Sequence, residues 1–292
     1  MIAVLTIVAG RHDHLRGQLA GLARSRRRAD LHVVVAMGDA GVAGVVAEFT
    51  AGSTAGRTIV VDVPVLDGEL PLARARNTAA RTAIGAGADL LVLLDVDCVP
   101  DAELLDAYAR AATGPLVRGE GPALLCGAVT YLPPALDPPH YDRAELVARP
   151  HPARPDLPAG QVRAATADER WLFWSLSFAV TAADLERLGG FCEEYTGYGA
   201  EDTDLAAVLQ QQGGTLFWVG GAHAFHQHHP TSRPPVQHLH AIVRNATVFH
   251  RRWGWFPMEG WLTAFRELGL ADYDAASSTW SVRSAAPATT SR

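Results

Sequence analysis

The 292-residue sequence contains no lysine, so every permanently charged basic side chain is an arginine. Acidic residues outnumber the arginines, and the formal net charge is −6. Binding to nucleic acid without regard to sequence depends on a cationic surface, which this composition does not provide. We therefore expect no nucleic-acid partner. Any phosphate group that the protein binds must be held by arginine or by backbone N–H groups.

Cysteine is also scarce, and long apolar runs are absent. The three cysteines include no CxxC pair, which argues against a zinc knuckle or a redox motif. No apolar run approaches the roughly 20 residues of a membrane span, and the first residues lack the basic start of a signal peptide. We predict a cytoplasmic protein without a transmembrane segment, and peripheral contact with a membrane stays open.

The first half of the sequence alternates between strand-like and helix-like patterns. Apolar runs rich in β-branched residues predict buried strands at 2–8, 31–37, 58–63 and 90–94. Helical spacing of apolar residues predicts helices at 12–24, 42–49, 72–84 and 102–112. This order predicts an α/β fold with a mostly parallel central sheet flanked by helices on both faces.

The second half is less regular. Eight prolines within 133–158 predict a long irregular loop. Further strands are predicted at 171–180 and 216–219, and further helices at 182–188, 201–211, 244–253 and 260–268. The small polar residues 281–292 predict a disordered tail.

The motif Asp95-Val96-Asp97 directly follows the fourth predicted strand. Ligands of open α/β sheets bind beyond the carboxyl ends of the strands. Two aspartates spaced i and i+2 can reach one cation there, and their oxygens suit Mg²⁺ or Mn²⁺. The alternative is a pair of solvated loop acids, because this short motif is common.

A second group of acids lies at the start of a predicted helix, in the segment 198–204, YGAEDTD. Negative charge at a helix N-terminus is favourable in its own right. A carboxylate in such a turn can also act as a general base toward an attacking hydroxyl. Both interpretations stay open from the residues alone.

Four histidines fall within seven residues, at His223, His226, His228 and His229. Imidazole is a good ligand for Mn²⁺ or Zn²⁺. One or two imidazoles together with the aspartate pair would complete a divalent site, for which Mn²⁺ fits better than Mg²⁺. A solvated surface run is the alternative.

Taken together, the motifs resemble family 2 glycosyltransferases of the GT-A fold, in the branch similar to β-1,4-galactosyltransferases and chondroitin polymerases. The resemblance runs from about residue 2 to 221 and more loosely to 268. The segments that carry it are 8–15 (ending RHDHL), 72–77 (LARARN), 93–97 (LLDVD), 189–191 (GGF) and 197–204 (GYGAEDTD). It implies one GT-A domain over 1–270, with a nucleotide-binding half, 1–115, an acceptor-binding half, 116–270, and a small mixed sheet in the second half.

The resemblance also implies roles for individual residues. Asp97 and His226 would bind the metal, His223 would be a second, softer ligand, and Asp95 would contact the metal or the ribose. Asp202 would be the catalytic base, and Glu201 would hold a sugar. The remaining donor-site residues would be Val8, Ala9, Arg11, Asp39, Leu72, Arg76, Asn77 and Val96, and the acceptor-site residues Tyr198, Gly199 and Trp174.

Two departures from the family pattern fall in the acidic segment. Tyr198 stands where the family has tryptophan, and Ala200 stands where it has glycine. A third lies after the second strand, where Met37-Gly38-Asp39 replaces a more acidic sequence. The first two positions would line the sugar region, so they bear on the identity of the donor.

We therefore predict an inverting, metal-dependent glycosyltransferase that uses Mn²⁺ (or Mg²⁺). Its donor would be a nucleotide-sugar, with UDP favoured and GDP as the alternative, and its acceptor a sugar, a lipid-linked sugar or another small molecule. Two rival functions remain: a nucleotidyltransferase, and a catalytically silent nucleotide- or carbohydrate-binding module on the same fold.

Overall fold

A computed structural model describes residues 1–50, 56–134 and 150–283. In the first half, the predicted strands and helices occur in the predicted order, with bounds within two residues of those expected, and one unpredicted short strand, Cys98–Pro100, is added. The elements are β1 (Ile2–Val8), α1 (His12–Arg24), β2 (Leu31–Met37), α2 (Gly41–Thr50), β3 (Arg57–Val63), α3 (Leu72–Gly85), β4 (Leu90–Leu94), β5 (Cys98–Pro100) and α4 (Leu104–Thr113).

The second half contains shorter strands and four helices among its described residues. Its elements are β6 (Ala123–Cys126), β7 (Val129–Tyr131), β8 (Val162–Ala164), β9 (Ser177–Thr181), α5 (Ala182–Leu188), α6 (Glu201–Gln211), β10 (Thr215–Val219), β11 (Ala224–His226), α7 (Leu239–Trp253), α8 (Glu259–Glu267), β12 (Ala271–Asp274) and β13 (Thr279–Val282). Two short 3₁₀ helices cover Glu169–Leu172 and Val236–His238.

The central sheet has eight strands in the order β3-β2-β1-β4-β9-β6-β10-β8. The first four are parallel. Strand β9 runs antiparallel to both of its neighbours, β4 and β6. A small mixed sheet, β5-β11-β7, is parallel on one side of β11 and antiparallel on the other. The predicted fold class is thereby confirmed, including the small mixed sheet.

The core lies on both faces of the central sheet. Every residue of β1, β2 and β4 is buried, which explains why these strands are continuously apolar rather than alternating. Successive side chains of a strand point to opposite faces. In β4, Leu91 and Leu93 accordingly join one apolar cluster, and Leu90, Val92 and Leu94 join the other.

The structure corrects three predicted elements. The helix expected at 244–253 begins earlier, at Leu239. The expected strand at 171–180 is divided, because a 3₁₀ helix covers Glu169–Leu172 and β9 begins only at Ser177. Residues 281 and 282, expected to start a disordered tail, complete β13 by pairing with β12; residues 284–292 lie outside the described residues. The same holds for 135–149 of the expected proline-rich loop, whose described flanks form neither helix nor strand. None of the described helices combines the length and apolar character needed to cross a membrane.

Candidate active site

The tight turn that follows β4 carries the Asp95-Val96-Asp97 motif at the carboxyl end of the parallel strands. The backbone N–H of Asp95 donates to Leu176 O, and Cys98 N–H donates to Asp95 O at 2.8 Å. Gln18, a fully buried residue of α1, donates through Nε2 to Asp95 O at 2.8 Å and to Leu94 O and Cys98 O at 3.2 Å. Helix α1 therefore fixes the turn, and with it the direction of the aspartates.

Three side chains converge on one oxygen of Asp97. Arg11 Nη1 lies 2.7 Å from Oδ2, His229 Nε2 lies 3.4 Å away and His226 Nε2 lies 3.5 Å away. Burial favours the neutral acid, but the hydrogen bond from His229 and the charges of His226 and Arg11 outweigh it and lower the pKa of Asp97 to about 2. Asp97 is therefore a carboxylate at neutral pH.

The donor atoms of Asp97, His226 and His229 lie within 4.8 Å of one another. Neighbouring ligands of a cation bound at about 2.1 Å are roughly 3 Å apart, so a divalent ion needs only a small adjustment. Burial lowers the pKa of His226, which favours the neutral imidazole that a metal requires. One carboxylate and two imidazoles fit a divalent transition metal such as Mn²⁺. No other group of this kind occurs in the described parts of the chain.

The small mixed sheet explains how His226 reaches a residue far away in the sequence. Strand β11 pairs with β5, and this pairing sets His226 opposite Cys98. Gln227 N–H then donates to Asp97 O at 2.7 Å. The ring of Tyr131 stacks on His226 with 4.5 Å between centroids, so one face of the imidazole is packed against an aromatic ring.

His223 lies outside this cluster. It is buried, its Nε2 lies 2.8 Å from Thr130 Oγ1, and its ring stacks on Phe225 at 4.8 Å. The structure thus replaces His223 by His229 in the candidate ligand set. The physical reason is that His223 directly precedes β11 and points away from the cluster to Thr130, whereas the chain after β11 places His229 Nε2 3.4 Å from Asp97 Oδ2.

Asp95 also lies outside the cluster, because its carboxylate is hydrogen-bonded to Arg76. Arg76, on α3, donates through Nη2 to both carboxylate oxygens of Asp95 at 3.0 and 3.2 Å, and through Nη1 to Glu201 Oε1 at 3.0 Å. Burial raises the pKa of Asp95 although Arg76 opposes it. The other oxygen of Glu201 is buried and accepts no hydrogen bond from the described residues. Arg76 therefore ties the two acidic motifs together.

Asp202 has a different environment from Asp97. Its Oδ1 accepts from Thr203 N–H at 2.7 Å. Burial, followed by the neighbouring charge of Glu201, raises the pKa of Asp202 to about 7. A carboxyl group that titrates near neutral pH can accept a proton during a reaction.

Asp204, the third acid of the segment, is a structural anchor. Its Oδ1 accepts from Trp253 Nε1 at 2.7 Å, Arg252 Nε at 2.8 Å and Tyr195 Oη at 3.0 Å, and the side chain is 2% exposed. These bonds fasten the start of α6 to the end of α7.

The backbone before α6 turns sharply through positive φ angles of +68° at Gly197, +99° at Gly199 and +77° at Ala200. Ala200 thus adopts a left-handed conformation at the position where the resembled family has glycine, at a cost of about 1–2 kcal/mol. Asn245, fully buried on α7, donates to Thr196 O at 3.0 Å and to Gly199 O at 2.9 Å. The turn is therefore held by α7.

The loop after β1 and the end of β2 meet at Asp39. Its carboxylate accepts from Gly10 N–H at 2.7 Å and Gly41 N–H at 3.0 Å, and His12 Nε2 lies 2.9 Å away. The Gly10 N–H is the main cause of the lowered pKa of Asp39. Asp39 thus shapes the loop that positions Arg11.

Several predicted donor-site residues have structural roles. Val8 and Val96 are buried, and Ala9 and Leu72 pack against the core, so all four can offer a nucleotide only backbone groups. Asn77 and Phe191 form two hydrogen bonds. The Phe191 N–H donates to Asn77 Oδ1 at 2.9 Å, and Asn77 Nδ2 donates to the Phe191 carbonyl at 2.8 Å. That pair joins α3 to the Gly-Gly-Phe turn.

The predicted acceptor-site aromatics lie in two places. Tyr198 is 40% exposed and stacks on His238 at 4.6 Å. Trp174 lies instead beside the buried Arg154, whose guanidinium is 5.2 Å from the ring centroid and donates to Trp174 O at 2.9 Å.

Sequence reasoning missed several residues that build the site: Gln18, Arg154, His229 and Asn245. His229 belongs to the run of four histidines in the sequence, but no role as a ligand was assigned to it from the sequence. The other three had no local signal, because their role comes only from contacts with distant backbone.

Comparison with known proteins shows which fold the chain has and which proteins it resembles. Residues 167–230 match the family model described as the N-terminal domain of galactosyltransferase. This segment contains Asp202, His226 and His229. The S. aureus TarS fragment 1–349 superimposes with a TM-score of 0.57 at 12% identity, over 84% of this chain and 64% of that one. The chain has the GT-A fold.

A second structural neighbour and a curated sequence relative are named glycosyl-transferring enzymes. A mannosyltransferase from Pyrobaculum calidifontis, solved with GDP-Man and Mn²⁺, gives a TM-score of 0.56 at 18% identity over 88% of this chain and 65% of its own. Validoxylamine A glucosyltransferase from Streptomyces hygroscopicus subsp. jinggangensis is 30% identical over 161 residues, which are 49% of this chain and 36% of that protein. The chain thus spans about a third of the curated relative. The resemblance to glycosyltransferases inferred from the motifs is confirmed.

Proposed function

We propose that the protein is a metal-dependent, inverting glycosyltransferase that moves a sugar from a nucleotide-sugar to a hydroxyl acceptor. The observation that carries this proposal is the Asp97–His226–His229 cluster at the carboxyl end of β4. Its donor set fits a divalent cation, and it lies where open α/β sheets bind nucleotides. When bound, the cation neutralises charge on the departing diphosphate.

Arg11 is the basic side chain that contacts this cluster, through its 2.7 Å bond to Asp97. A cation held by Asp97 would repel the guanidinium of Arg11 from the carboxylate, and Arg11 could then contact the diphosphate. A guanidinium near the leaving group stabilises the charge that develops there.

Asp202 removes the proton from the acceptor hydroxyl as the acceptor oxygen attacks the anomeric carbon. Its raised pKa makes it a stronger base than an ordinary aspartate while still leaving part of it ionised at neutral pH. One base and direct attack give inversion at the anomeric carbon. Glu201 has a buried oxygen without a partner in the described part of the chain, which can accept a hydrogen bond from a sugar hydroxyl.

The donor is proposed to be a UDP-sugar, on the family resemblance, with a GDP-sugar as the alternative. A neighbour of the same fold was solved with UDP, GalNAc and Mn²⁺, and another with GDP-Man and Mn²⁺. The partly similar curated relatives are named glucosyltransferases. UDP-glucose is therefore the first donor to test.

The acceptor is proposed to be a sugar, a lipid-linked sugar or another small hydroxyl compound, bound by the second half of a single domain, 1–270. We also propose that the protein works in the cytoplasm. The free state of Cys98, Cys126 and Cys192 supports that location, because thiols persist in reducing compartments.

The test is release of nucleotide from a panel of UDP- and GDP-sugars, with Mn²⁺ and with a chelator. We expect Mn²⁺-dependent release of a nucleoside diphosphate from one donor class. Release of pyrophosphate from a nucleoside triphosphate and a sugar phosphate would show a nucleotidyltransferase instead. Donor binding without any release, in the presence of a broad acceptor mixture, would show a silent binding module.

A further inference from the structure

An open cavity of about 340 Å³ lies beside the first turn of α6, outside the metal cluster. Its volume is at the lower end of the range for small-molecule sites, roughly 300–1,000 Å³. The residues that line it are Trp171, Thr203, Trp255, Pro257 and Met258. We call it the tryptophan cleft.

Two indoles form the walls of the tryptophan cleft. Trp171 and Trp255 are each 39% exposed, and their rings meet edge to face with centroids 5.1 Å apart. Trp255 packs in turn on the fully buried Phe249 at 4.6 Å. The indole is therefore supported from behind while part of its surface stays open, which is typical of a binding surface rather than of a core.

Two residues of the tryptophan cleft belong to or contact the acidic segment 198–204. Thr203, on its wall, donates through its N–H to the carboxylate of Asp202 at 2.7 Å, and its hydroxyl lies 3.4 Å from the same oxygen. Met258, another lining residue, packs against Gly199 so closely that an added Cβ there would meet its sulfur at 2.9 Å. A molecule in the cleft therefore lies next to the residue proposed as the base.

The lining selects one kind of ligand. Among the residues that the structure describes, it contains two aromatic faces, a proline, a methionine and one hydroxyl, and no charged side chain. The apolar C–H face of a sugar or cyclitol ring packs well on an indole, while its edge hydroxyls still need polar partners. Phosphate or carboxylate groups would find no cation in the lining and would face the nearby acids Glu201 and Asp202.

We propose that the tryptophan cleft binds the neutral sugar or cyclitol ring of the acceptor, stacked on Trp171 and Trp255, with a hydroxyl directed to Asp202. This assignment rests on the proposed glycosyltransferase function and specifies its acceptor class. The two indoles determine acceptor affinity and leave the donor site unaffected, because they lie outside the metal cluster and the loop after β1.

The first test measures binding of methyl β-D-glucopyranoside, myo-inositol and n-hexanol to the protein. Saturation-transfer NMR detects the binding. We expect saturation of the ring C–H protons of the glucoside or of inositol in the wild-type protein. The signal should fall several-fold in Trp171→Ala and in Trp255→Ala, and should be largely kept in Trp255→Phe, which retains an aromatic face. The control is Trp280→Ala on β13, which should keep the full signal.

Binding in this experiment does not depend on turnover, so it separates the two proposals. Saturation of hexanol alone, no saturation of any ring probe in the wild type, or equal ring signals in the wild type and in Trp171→Ala would overturn the assignment of the cleft. The proposed function would still stand if the wild type released nucleotide with Mn²⁺.

A second test uses transfer kinetics on the donor found in the nucleotide-release panel. Trp171→Ala and Trp255→Ala should raise the KM for a ring acceptor at least about tenfold, the loss expected from removing one good hydrophobic contact. Hydrolysis of the donor by water should be unchanged, because water needs no stacking surface. An unchanged acceptor KM, or an equal loss of donor hydrolysis, would contradict the proposal.

Discussion

The two acidic motifs of the site contain similar residues but hold them in opposite electrostatic states. Asp97, surrounded by Arg11, His226 and His229, has its pKa lowered to about 2, whereas Asp202, beside Glu201, has its pKa raised to about 7. The first is suited to bind a cation and the second to accept a proton. Environment, rather than residue type, separates a ligand from a base.

The two motifs also share one ion-pair partner, Arg76. Each contributes one acid to Arg76, which bonds Asp95 from the first and Glu201 from the second. The neighbouring acid of each motif, Asp97 or Asp202, is thereby left for chemistry. A single buried arginine thus sets both the spacing of the motifs and the division of their roles.

The largest predicted effect is on the free energy of unfolding, when the ion pairs of Arg76 with the two motifs are removed. Arg76→Met should lower the free energy of unfolding by about 3–5 kcal/mol, because it leaves two acids buried without their cation. Urea denaturation measures the change. Arg81→Met, on an exposed face of the same helix, is the matched control and should change stability by less than about 1 kcal/mol. Equal effects of the two substitutions would show that Arg76 does not join the motifs.

The raised pKa of Asp202 predicts the pH dependence of transfer. The base must be ionised, so kcat/KM should rise about tenfold per pH unit below the pKa of about 7 and level off above it. Steady-state rates with saturating Mn²⁺ measure the profile. A raised pKa in the folded state also means that stability falls as pH rises from the ordinary aspartate pKa through about 7. Asp202→Asn should therefore be more stable than wild type at about pH 8, but not at acid pH. A flat rate profile near neutrality would contradict this account.

The third prediction compares two histidines. His229→Ala should weaken Mn²⁺ binding at least about tenfold, since it removes a direct ligand. His223→Ala is the matched control, because His223 contacts Thr130 and Phe225 instead of Asp97. Isothermal titration with Mn²⁺ distinguishes them. The reverse order of effects would restore His223 as the ligand.

The smallest predicted effect concerns Arg11. Its guanidinium is bonded to the Asp97 oxygen that a cation would use. In the absence of donor, Arg11→Ala should therefore tighten Mn²⁺ binding by about two- to fivefold, which is the scale of one partly exposed ion pair. Turnover should fall at the same time, because the diphosphate loses a positive partner. Arg16→Ala, on the next turn of α1, is the control. Weaker Mn²⁺ binding in Arg11→Ala would rule out the competition.

The sequence predicted the fold well where burial imposed a long pattern. Strands β1, β2 and β4 and helices α1, α5 and α6 begin and end at the predicted residues. The small mixed sheet was expected from the family resemblance, but its three strands could not be placed in the sequence, because three residues are too few to show a period.

The same limit explains what was missed in the site. The histidine run predicted a metal ligand, but the choice between His223 and His229 depends on which way each side chain points from β11 and the turn after it. The double contact of Arg76 depends on two loops that meet only in the folded chain. The direction of the histidine side chains and the contacts of Arg76 both depend on tertiary structure, which no local sequence pattern predicts.

The most direct test of the account is a comparison of Asp202→Asn with Asp97→Asn in two assays, Mn²⁺-dependent binding of the donor and sugar transfer. Asp202→Asn should bind the donor as the wild type does and lose about 10²–10⁴-fold in turnover, the contribution of a general base. Asp97→Asn should lose both, and Glu186→Gln, exposed on α5, should lose neither. Normal turnover in Asp202→Asn, or unchanged Mn²⁺-dependent donor binding in Asp97→Asn, would contradict the division between base and metal ligand.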